Sequence, residues 1–202
     1  MSDTIVPTPS DRAALYLSIG VAAIGAVATI ATTIARLVEV APGKDVPVTV
    51  QLEEQTVGLP LGPNGALVDA SVDTATIVVP HAEGATLFAL WAQPIWLCLC
   101  VLAGLALAAM FFLRVARGQI FTKRASRLAL YGALVVGAAW LGSGIFTAMA
   151  MNGALATVSD GTWDSGFIVV SFTPFLAILL LGGLGGALDI GERLQRDNEG
   201  LV

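Results

Sequence analysis

The stretch Ile95-Trp-Leu-Cys-Leu-Cys-Val-Leu-Ala-Gly-Leu-Ala-Leu-Ala-Ala-Met-Phe-Phe-Leu113 decides the fold: 19 consecutive residues carry no charge and end against Arg114. A helix needs about 20 apolar residues to cross the hydrocarbon core of a bilayer, so this run is read as a span. Trp91 and Trp96 suit the headgroup zone, and Pro94 sits at the expected helix entrance, where a missing N–H costs least. Thr86 to Gln93 then forms a lead-in, giving a second membrane helix over 86–113.

Three more runs of this kind lie outward from it. One runs from Ala13 to Ala35, between Arg12 and Arg36, and predicts a helix over 13–38; another follows Arg127 and predicts one over 128–152; the last predicts one over 167–188. A single mid-span charge costs about 2.5–3.5 kcal/mol on insertion, so four charge-free runs are a strong pattern. The first run is too long for a signal-peptide core, and Ala35-Arg36-Leu37 is a poor cleavage site, so it is read as a retained signal-anchor. Composition agrees: 56% of residues are hydrophobic and 12% charged, against roughly 25% charged in a soluble domain. The fold class expected is an all-α membrane protein of four transmembrane helices.

Charge is segregated along the chain. Residues 114–127 hold Arg114, Arg117, Lys123, Arg124 and Arg127 and no acid, whereas 39–85 hold one Lys and seven Asp or Glu. The positive-inside rule places 114–127 in the cytoplasm, with 39–85 and the short 153–166 loop outside, so that residues 1–12 and the charged tail 189–202 are cytoplasmic. The expected location is a bacterial plasma membrane.

The 39–85 loop reads as β-rich. Val46 to Leu52 and Ala66 to Asp73 alternate like strands, Thr76-Ile-Val-Val79 is a third β-rich piece, and Gly62-Pro-Asn-Gly65 is a turn signal. A hairpin or three-stranded sheet is expected, resting on the helix ends or on a partner because it is marginal alone.

Helices two and four end alike, in Gly118-Gln-Ile-Phe121 and Gly191-Glu-Arg-Leu194, each with charges behind. This suggests two helical hairpins in parallel repeat, each closed by its glycine. Gly118-x-x-Phe121-Thr with the basic stretch to Arg127-Leu128, together with the terminal Gly191-x-x-Leu194-x-x-Asp197-x-Glu199-Gly-Leu-Val202, resembles the bacterial membrane family known as domain of unknown function 2975. The resemblance implies the four-helix topology and a role linked to a cytoplasmic transcription regulator; it implies no catalytic residues.

Chemistry-bearing residues are sparse. Cys98 and Cys100 lie in an apolar run, and the single His81 cannot anchor a zinc-type set, so no metal or other cofactor is expected. No acid, base or histidine falls at mid-membrane depth, and no Walker loop, Rossmann fingerprint or nucleophile elbow is present. The chain is therefore not read as an enzyme, and the basic residues, one short loop without aromatics interleaved, do not point to nucleic acid.

The candidate interaction face is Arg114, Arg117, Lys123, Arg124 and Arg127 with Asp189, Glu192, Asp197 and Glu199, and an ion pair from Asp189 or Glu192 to the basic loop is expected. Gly182-x-x-x-Gly186 and Ala138-x-x-x-Gly142 are candidate helix-packing pairs within the bundle or at a dimer seam. Pro174 is expected to kink helix four. Partners expected are the lipid bilayer, a cytoplasmic regulator and a second copy of the chain. Two functional readings follow: a scaffold, sensor or regulator acting by interaction, and a transport or permeation component.

Overall fold

The computed structural model describes residues 8–82, 84–119, 122–159 and 171–199, the side chains of 52–55, 198 and 199 excepted. Its elements are α1 (Pro9–Val40), β1 (Lys44–Leu59), a 3-10 turn (Pro63–Gly65), β2 (Val68–His81), α2 (Gly84–Ala116), α3 (Lys123–Val158) and α4 (Thr173–Glu199). All four helices are long and apolar enough to cross a membrane, as in a multi-pass membrane protein.

The helices exceed their apolar runs. At about 1.5 Å per residue, the 33 residues of α2 and the 36 of α3 reach about 50 Å or more, well past a core of about 30 Å. Pro94 accordingly lies inside α2 and not at its entrance. The lead-in is helical because it has packing to hold it: Ala89 and Leu90 are buried. Pro174 is the second residue of α4, where its locked φ is compatible with helix initiation, so it starts the helix and does not kink it. Phe167 to Val170, expected in this helix, lie outside the described residues.

The described residues form two compact units: those within Met1–Ala35, Pro94–Ser143 and Val170–Val202 make the first, those within Arg36–Gln93 and Gly144–Val169 the second. In the second, β1 and β2 form a two-stranded antiparallel sheet. The two β-rich pieces expected at 66–73 and 76–79 are one continuous strand. The cross-strand pairs Val46–Val79, Val48–Ile77 and Val50–Ala75 fall on one face, because side chains alternate along a strand. That face joins Val40, Ala89, Leu90, Ala150, Met151, Ala154 and Leu155 in a buried cluster. Such a hairpin is marginal in water by itself, and this cluster is what holds it. The turn forms at Gly62–Gly65, with Asn64 and Gly65 at positive φ (59° and 78°).

In the first unit neighbouring helices touch in chain order. Gly25 faces Leu105, Gly104 faces Val135, and Gly132 and Gly137 face Leu181 and Ile178. Ala125, Ala129 and Ala133 recur every fourth residue and are buried, which makes one face of α3 a close-approach surface.

Candidate functional site

The end of α2 and the start of α3 create the most distinctive chemistry of the first unit. Met110, Leu113, Arg114 and Arg117 follow an i, i+3, i+4, i+7 pattern, as do Arg124, Arg127, Leu128 and Tyr131, so each set forms one helical stripe. The two stripes, with Gln119, line one cavity of about 530 Å³. Gly118 makes the reversal between them. Its φ of 73° is the left-handed conformation, in which the Gln119 and Gly118 amides donate to the carbonyls of Arg114 and Val115, both at 2.9 Å. Thr122 then caps α3, accepting from the Ala125 amide at 3.2 Å through its hydroxyl.

Four arginines line this cavity and no carboxylate does. Arg114 reaches Gln119 Oε1 at 3.4 Å, a weak contact. The first turn of α3 carries no acid, and it begins with Lys123 and Arg124. A helix N-terminus already presents partial positive charge, so cations there are unfavourable until an anion joins them.

A second cavity, of about 560 Å³, is lined by Lys123, Ser126, Arg127, Leu130, Gly182, Gly185, Gly186, Asp189, Glu192, Arg193 and Arg196. Ser126, buried, donates to the Gly185 carbonyl at 2.9 Å and ties α3 to α4. The expected ion pair between tail and basic loop is replaced by pairs within α4: Arg193 to Asp189 at 2.8 Å and Arg196 to Glu192 at 2.5 Å. Because α4 continues through Gly191 instead of ending there, i+4 partners stand closer to each acid than the loop does. Among the described residues loop and tail share the cavity wall without an ion pair between them. Glu192 Oε2 is buried and accepts no hydrogen bond among the described residues. Asp197 is exposed near the end of α4, and the side chain of Glu199 lies outside the described ones.

The packing candidates divide. Trp96 lies over Ala138 and Gly142: its Nε1 donates to the Ala138 carbonyl at 3.0 Å, and an added Cβ at Gly142 would overlap the indole nitrogen. At Gly182 and Gly186 nothing lies within 4 Å of an added Cβ among the described residues. The small residue that α3 approaches is Gly185, whose Cβ would sit 3.1 Å from Leu130 Cγ. The Gly-x-x-x-Gly spacing points one residue away from the real contact because Ile178, Leu181, Gly185 and Leu188, not the glycine pair, form the packed stripe.

The second unit holds a polar cavity that sequence reasoning missed. Arg36, Thr49, Gln51, Gln93 and Thr147, with Val48, Leu90, Ala150 and Met151, line about 370 Å³. Gln93 donates to Thr147 at 2.8 Å; Arg36 pairs with Glu39 at 2.5 Å and donates to the Pro47 carbonyl at 2.9 Å. Polar residues facing each other from the ends of apolar runs, as Gln93 and Thr147 do, were the available signal. Among the described residues no group of three His, Cys, Asp or Glu could hold a metal. No family model, no curated protein and no solved structure matches the chain.

Proposed function

We propose that the chain is a bacterial plasma-membrane protein with both termini in the cytoplasm, acting by interaction as a sensor or regulator through the charged ends of α2, α3 and α4. The observation that carries this reading is the position of Arg127, which lines both the arginine cavity and the mixed-charge cavity. A ligand or partner engaging one cavity draws on a cation that also lines the other, so contacts at the two cavities compete for Arg127. The segregation of five basic residues into 114–127 supports the orientation. The resemblance to the domain of unknown function 2975 supports a link to a cytoplasmic transcription regulator, and the similar strings Gly118-Gln-Ile-Phe121 and Gly191-Glu-Arg-Leu194 support a parallel repeat. Among the described residues nothing lies within 4 Å of an added Cβ at Gly182 or Gly186, which line the mixed-charge cavity, and this space is what a second copy of the chain would have to enter.

The test places a photo-crosslinking residue at Gln119 and, separately, at Gln195 in cells. The reading expects a discrete protein adduct that weakens when Arg127 is replaced by Glu. Only lipid adducts at both positions, unchanged by that replacement, would overturn it. The polar cavity of the second unit, with Gln93 and Thr147, favours a second reading as a transport component. Chain-dependent solute flux in proteoliposomes would select that reading.

A further inference from the structure

We propose that the arginine cavity between α2 and α3 binds the phosphodiester of an anionic phospholipid, a specific site beyond the general attraction of a basic loop to a charged leaflet. It goes beyond the interaction reading and stands without it, because it rests on the geometry of the cavity alone. Three features converge on that ligand.

The first is the donor set. A guanidinium presents a planar fork of N–H donors that matches phosphate oxygens in bidentate fashion, and it stays charged at any relevant pH. Arg114, Arg117, Arg124 and Arg127 supply four such forks around one space, and none of them pairs with a carboxylate among the described residues. Four cations around one concavity that no carboxylate lines raise the local potential, and an anion there is attracted by all of them at once.

The second feature is the start of α3. Its capped N-terminus carries Lys123 and Arg124 and no acid in the first turn. The helix dipole and the side chains therefore bear the same sign, and an anion bound beside them relieves both.

The third feature is a gradient of polarity along both stripes. On α2 the apolar Met110 and Leu113 precede Arg114, with Arg117 in the turn just past the helix end; on α3 Leu128 and Tyr131 follow Arg124 and Arg127. The arginines thus lie at the α2–α3 connection, and the apolar residues lie one to two turns into the membrane-crossing runs. Met110 is 45% exposed and Tyr131 53% exposed, so the apolar edge of the cavity opens sideways and not into the core. A soluble phosphate needs the arginines alone. A phospholipid needs the arginines for its headgroup and an open apolar edge for its glycerol and acyl chains, and this cavity has both. A volume of about 530 Å³ is within the range of small-molecule sites.

The experiment uses the full chain purified in detergent and offered phosphatidylglycerol, phosphatidylcholine or inorganic phosphate, with bound lipid counted by native mass spectrometry and stabilisation read by thermal unfolding. The wild-type chain is expected to retain one phosphatidylglycerol and to prefer it over phosphatidylcholine by about tenfold or more, the equivalent of one strong charge-assisted contact. Arg117→Gln with Arg124→Gln should lose that preference, while Arg193→Gln with Arg196→Gln, an equal loss of charge elsewhere, should keep it. Equal retention of the two lipids by the wild-type chain overturns the proposal without reference to any variant. So does stabilisation by inorganic phosphate that matches phosphatidylglycerol and depends on the same arginines, since the occupant would then be a soluble anion. Loss of the preference in the Arg193 and Arg196 variant as strongly as in the cavity variant also overturns it, because net charge and not the cavity would be responsible.

Discussion

Replacing Gly142 with Ala perturbs one contact whose geometry is known atom by atom. The new Cβ would overlap Trp96 Nε1 and sit 2.5 Å from Cε2, at least about 1 Å inside the 3.5–4.0 Å at which carbon atoms attract. The indole must move by roughly 1 Å, and the Trp96–Ala138 bond at 3.0 Å lengthens past usefulness. Overpacking of this kind costs about 1–3 kcal/mol, and an interhelical hydrogen bond in a membrane protein adds about 0.6 kcal/mol on average. Against this, Ala in place of Gly gains up to about 1 kcal/mol of helix propensity. The net expectation is a loss of about 1–3 kcal/mol. Among the described residues Gly144→Ala and Gly182→Ala meet nothing within 4 Å and should be neutral or stabilising by up to about 1 kcal/mol. Reversible unfolding by SDS in mixed micelles would measure all three. Trp96→Leu should remove most of the Gly142→Ala cost, with a coupling of about 1 kcal/mol or more. A Gly182→Ala cost equal to that of Gly142→Ala, or no coupling to Trp96, would refute the assignment of the α2–α3 contact.

The parts of the fold that could be read from sequence are those governed by one-dimensional rules. Span length and the absence of charge mark all four helices, since a bilayer penalises each buried charge locally. The alternation of Val46, Val48 and Val50 marks a strand because its period is a property of the backbone. Helix ends were harder. Gly118 and Gly191 sit in similar strings, yet only Gly118 turns the chain. What separates them is context: Asp189–Arg193 and Glu192–Arg196 pairs reinforce the helix across Gly191, whereas Arg114 and Arg117 have no acidic partner at that spacing. Which small residue meets a neighbouring helix was harder still. Gly182, Gly185 and Gly186 differ by less than a turn, and the choice among them is made by the bulk of Leu130 and the hydroxyl of Ser126 on another helix. The arginine cavity was legible as a basic loop, but not as a concavity, because its two i, i+3, i+4, i+7 stripes face each other only after Gly118 reverses the chain.

Orientation is tested in intact cells: with Cys98 and Cys100 replaced, a cysteine at Gln119 should resist an impermeant thiol reagent and one at Asn64 should label, and the opposite pattern would invert the topology. Gly118→Ala forces a side chain into φ 73° and should cost about 1–2 kcal/mol in the same SDS titration; no cost would show that the α2 cap is not held in this conformation. The last prediction concerns Glu192, which gives one oxygen to Arg196 and leaves Oε2 buried and unbonded on the wall it shares with Lys123 and Arg127. A carboxylate oxygen so placed is costly unless a cation or water reaches it. Reversing it, as Glu192→Arg, adds a cation to a wall that already holds Lys123, Arg127, Arg193 and Arg196 and removes the Arg196 pair, so trypsin should cut after Arg196 faster. Lys123→Glu or Arg127→Glu in that background should restore protection if the two walls sense each other across the cavity. Failure of both to rescue, with the Glu192→Arg chain still folded, would mean that the tail is held by its own helix alone and that Arg127 does not link the two cavities.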